Sequence, residues 1–428
     1  MGYSLKDIIA LLQMPAGRLL LSPIFLRRAW PVLLRLAILY RRTLIRKTRI
    51  VTVVGSFGKS TTTLAVLTAL GMDLNPIVNL NARTAVARAV LRIWPWSRHA
   101  VIEVGIAAPG QMATYARITR PDVTVVTSIG SEHNRSLPTL EVTREEKCEM
   151  VRILPASGIA ILNGDDPNVL WMKDQTHARV LTFGINKTND IRASDITLDW
   201  PNGTSFKLQA GGETRDLHIR LIGKQMVYPI LAAIAVALAG GLSLDQVVPA
   251  LEALPPTPGR LEPIQLQNGA FILRDDFKAQ LETIDVALDV LSEIPAQRRI
   301  VVLGDIEEPP GGKSPIYRQI GERIGKIASV AIFVGGHSCR KYASGAKRSG
   351  LSGEKIMHVG EDVLKAAELL HENVGPGDVV LIKGRGNQRL GRVALSLMGR
   401  KVRCDIRHCN LRVYCENCSM LERGWRRS

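Results

Sequence analysis

Acidic residues are scarce where the chain begins. Residues 1–49 hold one acid, Asp7, against ten Lys or Arg, and residues 400–428 hold three acids against eight. The formal charge of +17 is concentrated at these two ends, and the middle of the chain is nearly neutral. That distribution argues against a nucleic-acid enzyme, which spreads basic charge over its working face, so no nucleic-acid partner is expected. It points instead to an anionic membrane surface or an acidic partner for the leading segment. Cysteine is sparse too. Cys148, Cys339, Cys404, Cys409, Cys415 and Cys418 are too few and too clustered for a disulfide framework, so a reducing, cytoplasmic setting is expected. Long apolar runs are missing. The Leu-rich stretch 8–40 is broken by Pro15, Arg18, Pro23, Arg27, Arg28, Pro31 and Arg35, short of the roughly 18–20 apolar residues that span a bilayer. No cleavable signal peptide is expected either, because the early charge, apolar core and small-residue cleavage site do not occur together. Two readings of the leading segment remain: peripheral contact at the inner face of the membrane, or a helix packed on the protein's own core.

What is present is a globular composition, 46% hydrophobic and 22% charged over 428 residues, enough for two or three domains. After residue 49, short β-branched runs at 50–54, 99–104, 122–128 and 158–162 alternate with helical segments such as 61–70. That alternation predicts a parallel α/β sheet. Residues 185–222 carry a Thr- and Asp-rich alternation that reads as a small antiparallel insert, and 228–240 reads as an apolar helix. The Pro-rich stretch 255–258 marks a linker. Beyond it the strand–helix alternation restarts, with strands at 271–273, 300–303, 330–334 and 379–382 and helices at 283–292, 316–327 and 361–373. The expected organisation is a basic apolar segment over 1–48, a central ATP-binding α/β domain over 49–257, a smaller Rossmann-like α/β domain over 258–400, and a Cys-rich basic tail over 401–428.

The sharpest local signal is Gly55-Ser56-Phe57-Gly58-Lys59-Ser60-Thr61 directly after the first strand. A glycine turn that runs into a helix presents backbone N–H groups to phosphate. Lys59 is placed to reach the outer phosphates, and the Ser60 or Thr61 hydroxyl to face Mg2+. Only two residues separate the glycines, so the loop is a shortened phosphate-binding loop.

The chain resembles the Mur ligase family, the peptidoglycan amino-acid ligases and folylpolyglutamate synthetase. The loop is similar to the family's GTxGKTTT. In the same order come Glu103-Val104-Gly105 with Pro109-Gly110-Gln111, the strand end leading to His133, the Arg144–Glu149 segment with Lys147, Asn163-Gly164-Asp165-Asp166-Pro167, and Pro258-Gly259-Arg260-Leu261-Glu262. Gly304-Asp305 and Gly377-Asp378 through Lys383-Gly384 resemble segments of the MurF branch, which adds D-Ala-D-Ala. The resemblance spans about 49–400. It implies an ADP-forming acid–amino-acid ligase of cell-envelope or related polymer biosynthesis, which phosphorylates a small-molecule or peptide-like carboxylate and joins it to an amino acid or dipeptide amine. It implies ATP contacts at Gly55, Ser56, Gly58, Lys59, Ser60, Thr61 and Asn163. From the C-terminal domain it adds Arg260, Asp276 and Lys278, completing the site on closure. Mg2+ ligands would be Ser60, Glu103 and His133. The catalytic group would be Lys59, His133 and Lys147, the last a further metal-holding anion if carbamylated.

Two departures stand out. The family's GxHNxxN appears as Gly223-Lys224-Gln225-Met226-Val227-Tyr228-Pro229, without its His and Asn. Only 49 residues precede the first strand, so the family's N-terminal substrate domain is not expected. A phosphate-loop NTPase or kinase without ligation, and a non-catalytic binding protein, are the competing readings. In the tail, Cys404, Cys409, Cys415 and Cys418 are candidate Zn2+ ligands by residue type, although only the last pair has a regular spacing.

Overall fold

The computed structural model describes residues 29–74, 83–132, 134–309, 311–411 and 413–424. His133 and residues 1–28 lie outside the described residues, and with them the first part of the expected membrane-facing segment. The chain divides between Pro255 and Pro256 into two compact units.

The first unit is built on an eight-stranded sheet, β1 (Arg49–Val54), β2 (His99–Glu103), β3 (Val123–Val126), β4 (Ile159–Asn163), β5 (Arg179–Gly184), β6 (Ile191–Asp199), β7 (Gly203–Ala210) and β8 (Glu213–Ile219). Their spatial order is β2-β1-β3-β4-β5-β6-β7-β8. The pairs from β2 through β6 are parallel, and β6–β7 and β7–β8 are antiparallel. Strands β1, β3 and β4 are almost wholly buried and β-branched, as a sheet covered on both faces demands. The alternating segment expected as a small antiparallel insert forms the antiparallel pairs β6–β7 and β7–β8, and through β6 it extends this same sheet. Its half-buried alternation shows in the burial pattern of β7. The apolar helix Val227–Ala239 is buried along nearly its whole length.

Of the leading segment, helix Trp30–Arg42 belongs to this unit. Its inner residues Leu34, Ala37, Ile38 and Tyr40 join the core. Buried Arg41 fastens it, donating to Asp122 Oδ2 at 2.9 Å and to the carbonyls of Ile45, Thr48, Thr119 and Arg120. Among the described residues no helix is long and apolar enough to cross a membrane.

The second unit holds β9 (Glu262–Gln265), β10 (Phe271–Asp275), β11 (Arg299–Leu303), β12 (Val330–Phe333), β13 (Ile356–His358) and β14 (Val379–Lys383). The order is β13-β12-β11-β14-β10-β9, parallel except for the β9–β10 edge. Helices Leu281–Glu293, Lys313–Ile327, Arg340–Arg348 and Val363–Asn373 connect the parallel strands. The tail folds onto this unit. Arg392 donates to the carbonyls of Cys404 and Ile406, Arg389 to those of Cys409, Leu411 and Val413, and Arg274 binds Glu416 at 2.8 Å. Tail residues Leu411, Met420 and Leu421 are buried.

Candidate active site

Strand β1 lies between β2 and β3, so the chain leaves it first to one side and then to the other. Such a switch point opens a crevice at the carboxyl ends of the strands, where ligands of α/β sheets bind. Gly55 to Gly58 fill this crevice. Gly55 takes φ +145°, and a Cβ there would meet Thr127 Oγ1 at 2.0 Å. Gly58 takes φ +76° and caps helix Lys59–Ala69. Both conformations favour glycine. The helix N-terminus therefore opens onto the crevice with its first N–H groups free of intrahelical partners.

The loop is braced from the neighbouring strand end. Ser56 N donates to Ser128 O at 2.8 Å, and Phe57 N to Ser128 Oγ at 2.9 Å. Lys59 Nζ curls over the loop, donating to Gly55 O at 2.6 Å and Ser56 O at 3.0 Å. Ser60, in the first helical turn, is only half-buried, and Thr61 is buried. Thus the sequence-predicted phosphate residues Gly55, Ser56, Gly58, Lys59, Ser60 and Thr61 form one continuous turn.

Lys147 comes from helix Leu140–Arg152 and is fully buried. Its ammonium donates to Ser56 Oγ at 2.8 Å and is paired with Glu132. Glu132 Oε2 is also 3.8 Å from Lys59 Nζ. A buried carboxylate thus couples both lysines to the loop. Sequence reasoning did not single out Glu132; it sits beside His133 in a polar stretch with no periodic pattern to mark it as buried.

Glu103 ends β2, and its backbone lies level with Val53, two residues before Gly55. The side chain is buried, and among the described residues its Oε2 has no hydrogen-bond partner. A buried carboxylate oxygen left bare is costly unless a cation meets it. That orphaned oxygen fits Mg2+, which takes one or two protein oxygens and completes its shell with water and phosphate.

Asn163 serves the scaffold: its Nδ2 donates to Thr127 O at 2.8 Å, and its Oδ1 accepts from Asp165 N at 3.1 Å. Its neighbour Asp166 accepts from Ile129 N at 2.7 Å. In this segment Gln225, Met226 and Pro229 stand where the family pattern carries His and Asn, and their neighbour Tyr228 donates to Asp165 Oδ2 at 2.9 Å. Burial and the Asp165 charge push the Tyr228 hydroxyl well above its ordinary range, so it stays a donor.

In the second unit, Arg260 stacks on Phe277 with its guanidinium 4.6 Å from the ring centroid. Asp276 accepts from Arg274 at 2.7 Å rather than from Arg260. The described bonding at Lys278 involves its carbonyl, which accepts from Lys383 at 3.1 Å. Lys383 is fully buried and also bonded to Asp275. Burial lowers the Lys383 pKa, and Asp275 offsets part of that.

The described residues give the zinc expectation no support. Among the described residues no group of three or more His, Cys, Asp or Glu side chains is placed to hold a metal ion. Cys404, Cys409, Cys415 and Cys418 do line one small cavity, but Arg389 and Arg392 line it with them. Arg392 Nη1 lies 3.6 Å from the Cys404 sulfur. Burial pushes the Cys415 thiol up to about 12, and Arg389 and Arg392 offset part of that.

The Mur ligase middle domain matches residues 51–237, and the Mur ligase glutamate ligase domain matches 259–386. A UDP-N-acetylmuramoyl-tripeptide–D-alanyl-D-alanine ligase of Mycobacterium bovis is 31% identical over 374 residues, covering 82% of this chain and 72% of its own length. The enzyme of that name from Escherichia coli is 33% identical over 279 residues, 64% of this chain and 61% of its own length. Among solved structures, MurF ligase from Thermotoga maritima in complex with ADP superimposes with a TM-score of 0.75 at 22% identity, over 86% of this chain and 83% of that one. A pseudomurein peptide ligase type C from Methanothermus fervidus reaches a TM-score of 0.65 at 18% identity, over 82% and 79%. With both domains matched in order along the sequence, the chain belongs to the Mur ligase family of ATP-dependent ligases.

Proposed function

We propose that this chain joins a carboxylate to an amine by way of an acyl phosphate, with ATP as phosphoryl donor. The observation that carries the reading is the Gly55–Gly58 loop with Lys59 across it and the Glu103 Oε2, unpartnered among the described residues, at the adjacent strand end. Ligation needs a carboxylate oxygen made into a leaving group. The acceptor carboxylate attacks the γ-phosphorus and ADP departs. A neutral amine then attacks the acyl carbon, and phosphate leaves with the former carboxylate oxygen. Charge neutralisation and positioning dominate such a reaction. The loop N–H groups and Lys59 hold the outer phosphates, and Ser56, fixed by Lys147, keeps the loop in shape. Mg2+, when bound, withdraws charge from the phosphate oxygens; Glu103, Ser60 and His133 are the proposed residues to hold it. In the second unit, Arg260, Asp276 and Lys278 are the proposed nucleotide contacts.

By analogy with the E. coli and M. bovis relatives, the proposed acceptor is a UDP-N-acetylmuramoyl-tripeptide and the amine D-alanyl-D-alanine, a step of peptidoglycan biosynthesis in the cytoplasm. Since the chain spans 61% of the E. coli relative, acceptor and amine need direct proof. ADP release should require ATP, acceptor and dipeptide together, and Lys59→Ala should abolish it. ADP release that ignores the amine would favour a kinase or plain NTPase. Failure of the wild-type chain to bind ATP would favour a non-catalytic binding protein.

A further inference from the structure

Helix Trp30–Arg42 turns one face to the core and leaves the other without a partner among the described residues. On that outer face Val32, Leu36 and Leu39 are 59%, 49% and 59% exposed, and Leu44 just beyond is 61% exposed. The spacing of 32, 36 and 39 is one helical stripe. The turn after helix Arg83–Leu91 adds Trp94 and Trp96, 62% and 74% exposed and stacked at 4.9 Å. That turn is pinned to the helix by Tyr40, whose hydroxyl donates to Ile93 O at 2.6 Å.

The charge around this apolar surface has one sign. Arg35, Arg42, Arg46, Lys47, Arg92 and Arg98 are exposed, and among the described residues none is ion-paired. From residue 8 to residue 102 the sequence has one acid, Asp73. Exposed leucines on a short helix, two tryptophans and flanking cations are the composition of a surface that sits in the headgroup region of an anionic bilayer. A protein groove would bury the apolar stripe equally well, but the uniform positive charge and the paired indoles favour lipid. Trp94 and Trp96 also line a cavity of about 840 Å3 together with Tyr40, Arg88, Arg92 and Glu103.

We propose that the outer face of helix Trp30–Arg42, with Trp94 and Trp96, docks this chain on the surface of an anionic phospholipid bilayer without crossing it. The inference stands apart from the ligase reading, since it rests on surface chemistry alone.

The test is co-sedimentation of the full chain with phosphatidylcholine vesicles made with and without phosphatidylglycerol. Binding should need the anionic lipid and weaken with salt, and tryptophan emission should shift to the blue on binding. Each Lys or Arg at such a surface is worth about fivefold in partitioning. The variant Arg35→Gln/Arg42→Gln/Arg46→Gln/Lys47→Gln should therefore lose at least about a hundredfold. Leu36→Glu/Leu39→Glu and Trp94→Ala/Trp96→Ala should each lose at least about tenfold. Because Leu36 and Leu39 point away from the core, that variant should keep its circular dichroism and thermal transition. Three results would overturn the proposal. The full chain could ignore anionic vesicles. All three variants could bind like the parent, which would place any lipid contact elsewhere in the chain. Or Leu36→Glu/Leu39→Glu could abolish a concentration-dependent self-association, which would make the occupant a second copy.

Discussion

Replacing Lys147 with Met tests how the phosphate loop is held. The ammonium is fully buried, fixes Ser56 Oγ at 2.8 Å and neutralises Glu132. Removing one partner of a buried pair costs about 3–5 kcal/mol, because the other charge stays buried and uncompensated. Here Lys59 lies 3.8 Å from the same carboxylate, so the low end, about 3 kcal/mol, is the expected loss. For a unit the size of Leu26–Pro255, that lowers the melting temperature by roughly 6–12 °C. Differential scanning calorimetry reads the shift directly. Adding Glu132→Leu to Lys147→Met removes the stranded charge and should restore most of the lost stability, while ATP turnover stays low because Ser56 Oγ still lacks the Lys147 ammonium. A shift below about 2 °C, or a double variant in which the losses simply add, would refute the coupling of Lys147, Glu132 and the loop.

Further outcomes follow from the same geometry. Gly55→Ala pushes a Cβ against Thr127 Oγ1, so nucleotide affinity, measured with a fluorescent ATP analogue, should fall at least about tenfold. Lys383→Met strands the buried Asp275 carboxylate and should destabilise the second unit by about 3–5 kcal/mol in urea denaturation, whereas Lys383→Met with Asp275→Leu should recover most of it. Burial raises the thiols of Cys148 and Cys415 to about 12, against 9.0 unfolded. The unfolded chain therefore ionises first as pH rises. The stability these thiols contribute is complete below about pH 9 and is lost toward pH 12, so alkylation at pH 8 should be slow until the chain unfolds. Elemental analysis should find no stoichiometric zinc; an equivalent of zinc lost on Cys415→Ser would contradict the thiol–arginine picture of the tail.

Much of this was legible before any coordinates, and the reasons are local. The parallel core of the first unit follows from buried β-branched runs, because a strand covered on both faces cannot alternate. The phosphate loop announces itself through two glycines that need positive φ, and through a lysine at the start of a helix. Glu103 stood out because an acid ending a buried strand needs a cation. Other parts leave no such trace. Whether Lys147 faces solvent or the loop depends on Glu132, which is adjacent in space but fifteen residues earlier in sequence. The alternation of 185–222 marks strands correctly, but alternation is local and does not say that they extend the main sheet. In the tail, residue type alone suggested a metal, and only the fold reveals that the four cysteines line one cavity with Arg389 and Arg392. Asp276 pairs with Arg274, two residues earlier at the same strand end, a contact that the family pattern does not mark.

The central claim is that a carboxylate is activated by phosphorylation on the loop of Lys59. Acceptor labelled with oxygen-18 in its reacting carboxylate, incubated with ATP, Mg2+ and the dipeptide amine, tests it directly by mass analysis of the phosphate released. The account predicts one labelled oxygen in each inorganic phosphate, formed together with ADP and the amide product and absent with Lys59→Ala. Phosphate that carries no label while amide accumulates, or ADP release undiminished in Lys59→Ala, would contradict it.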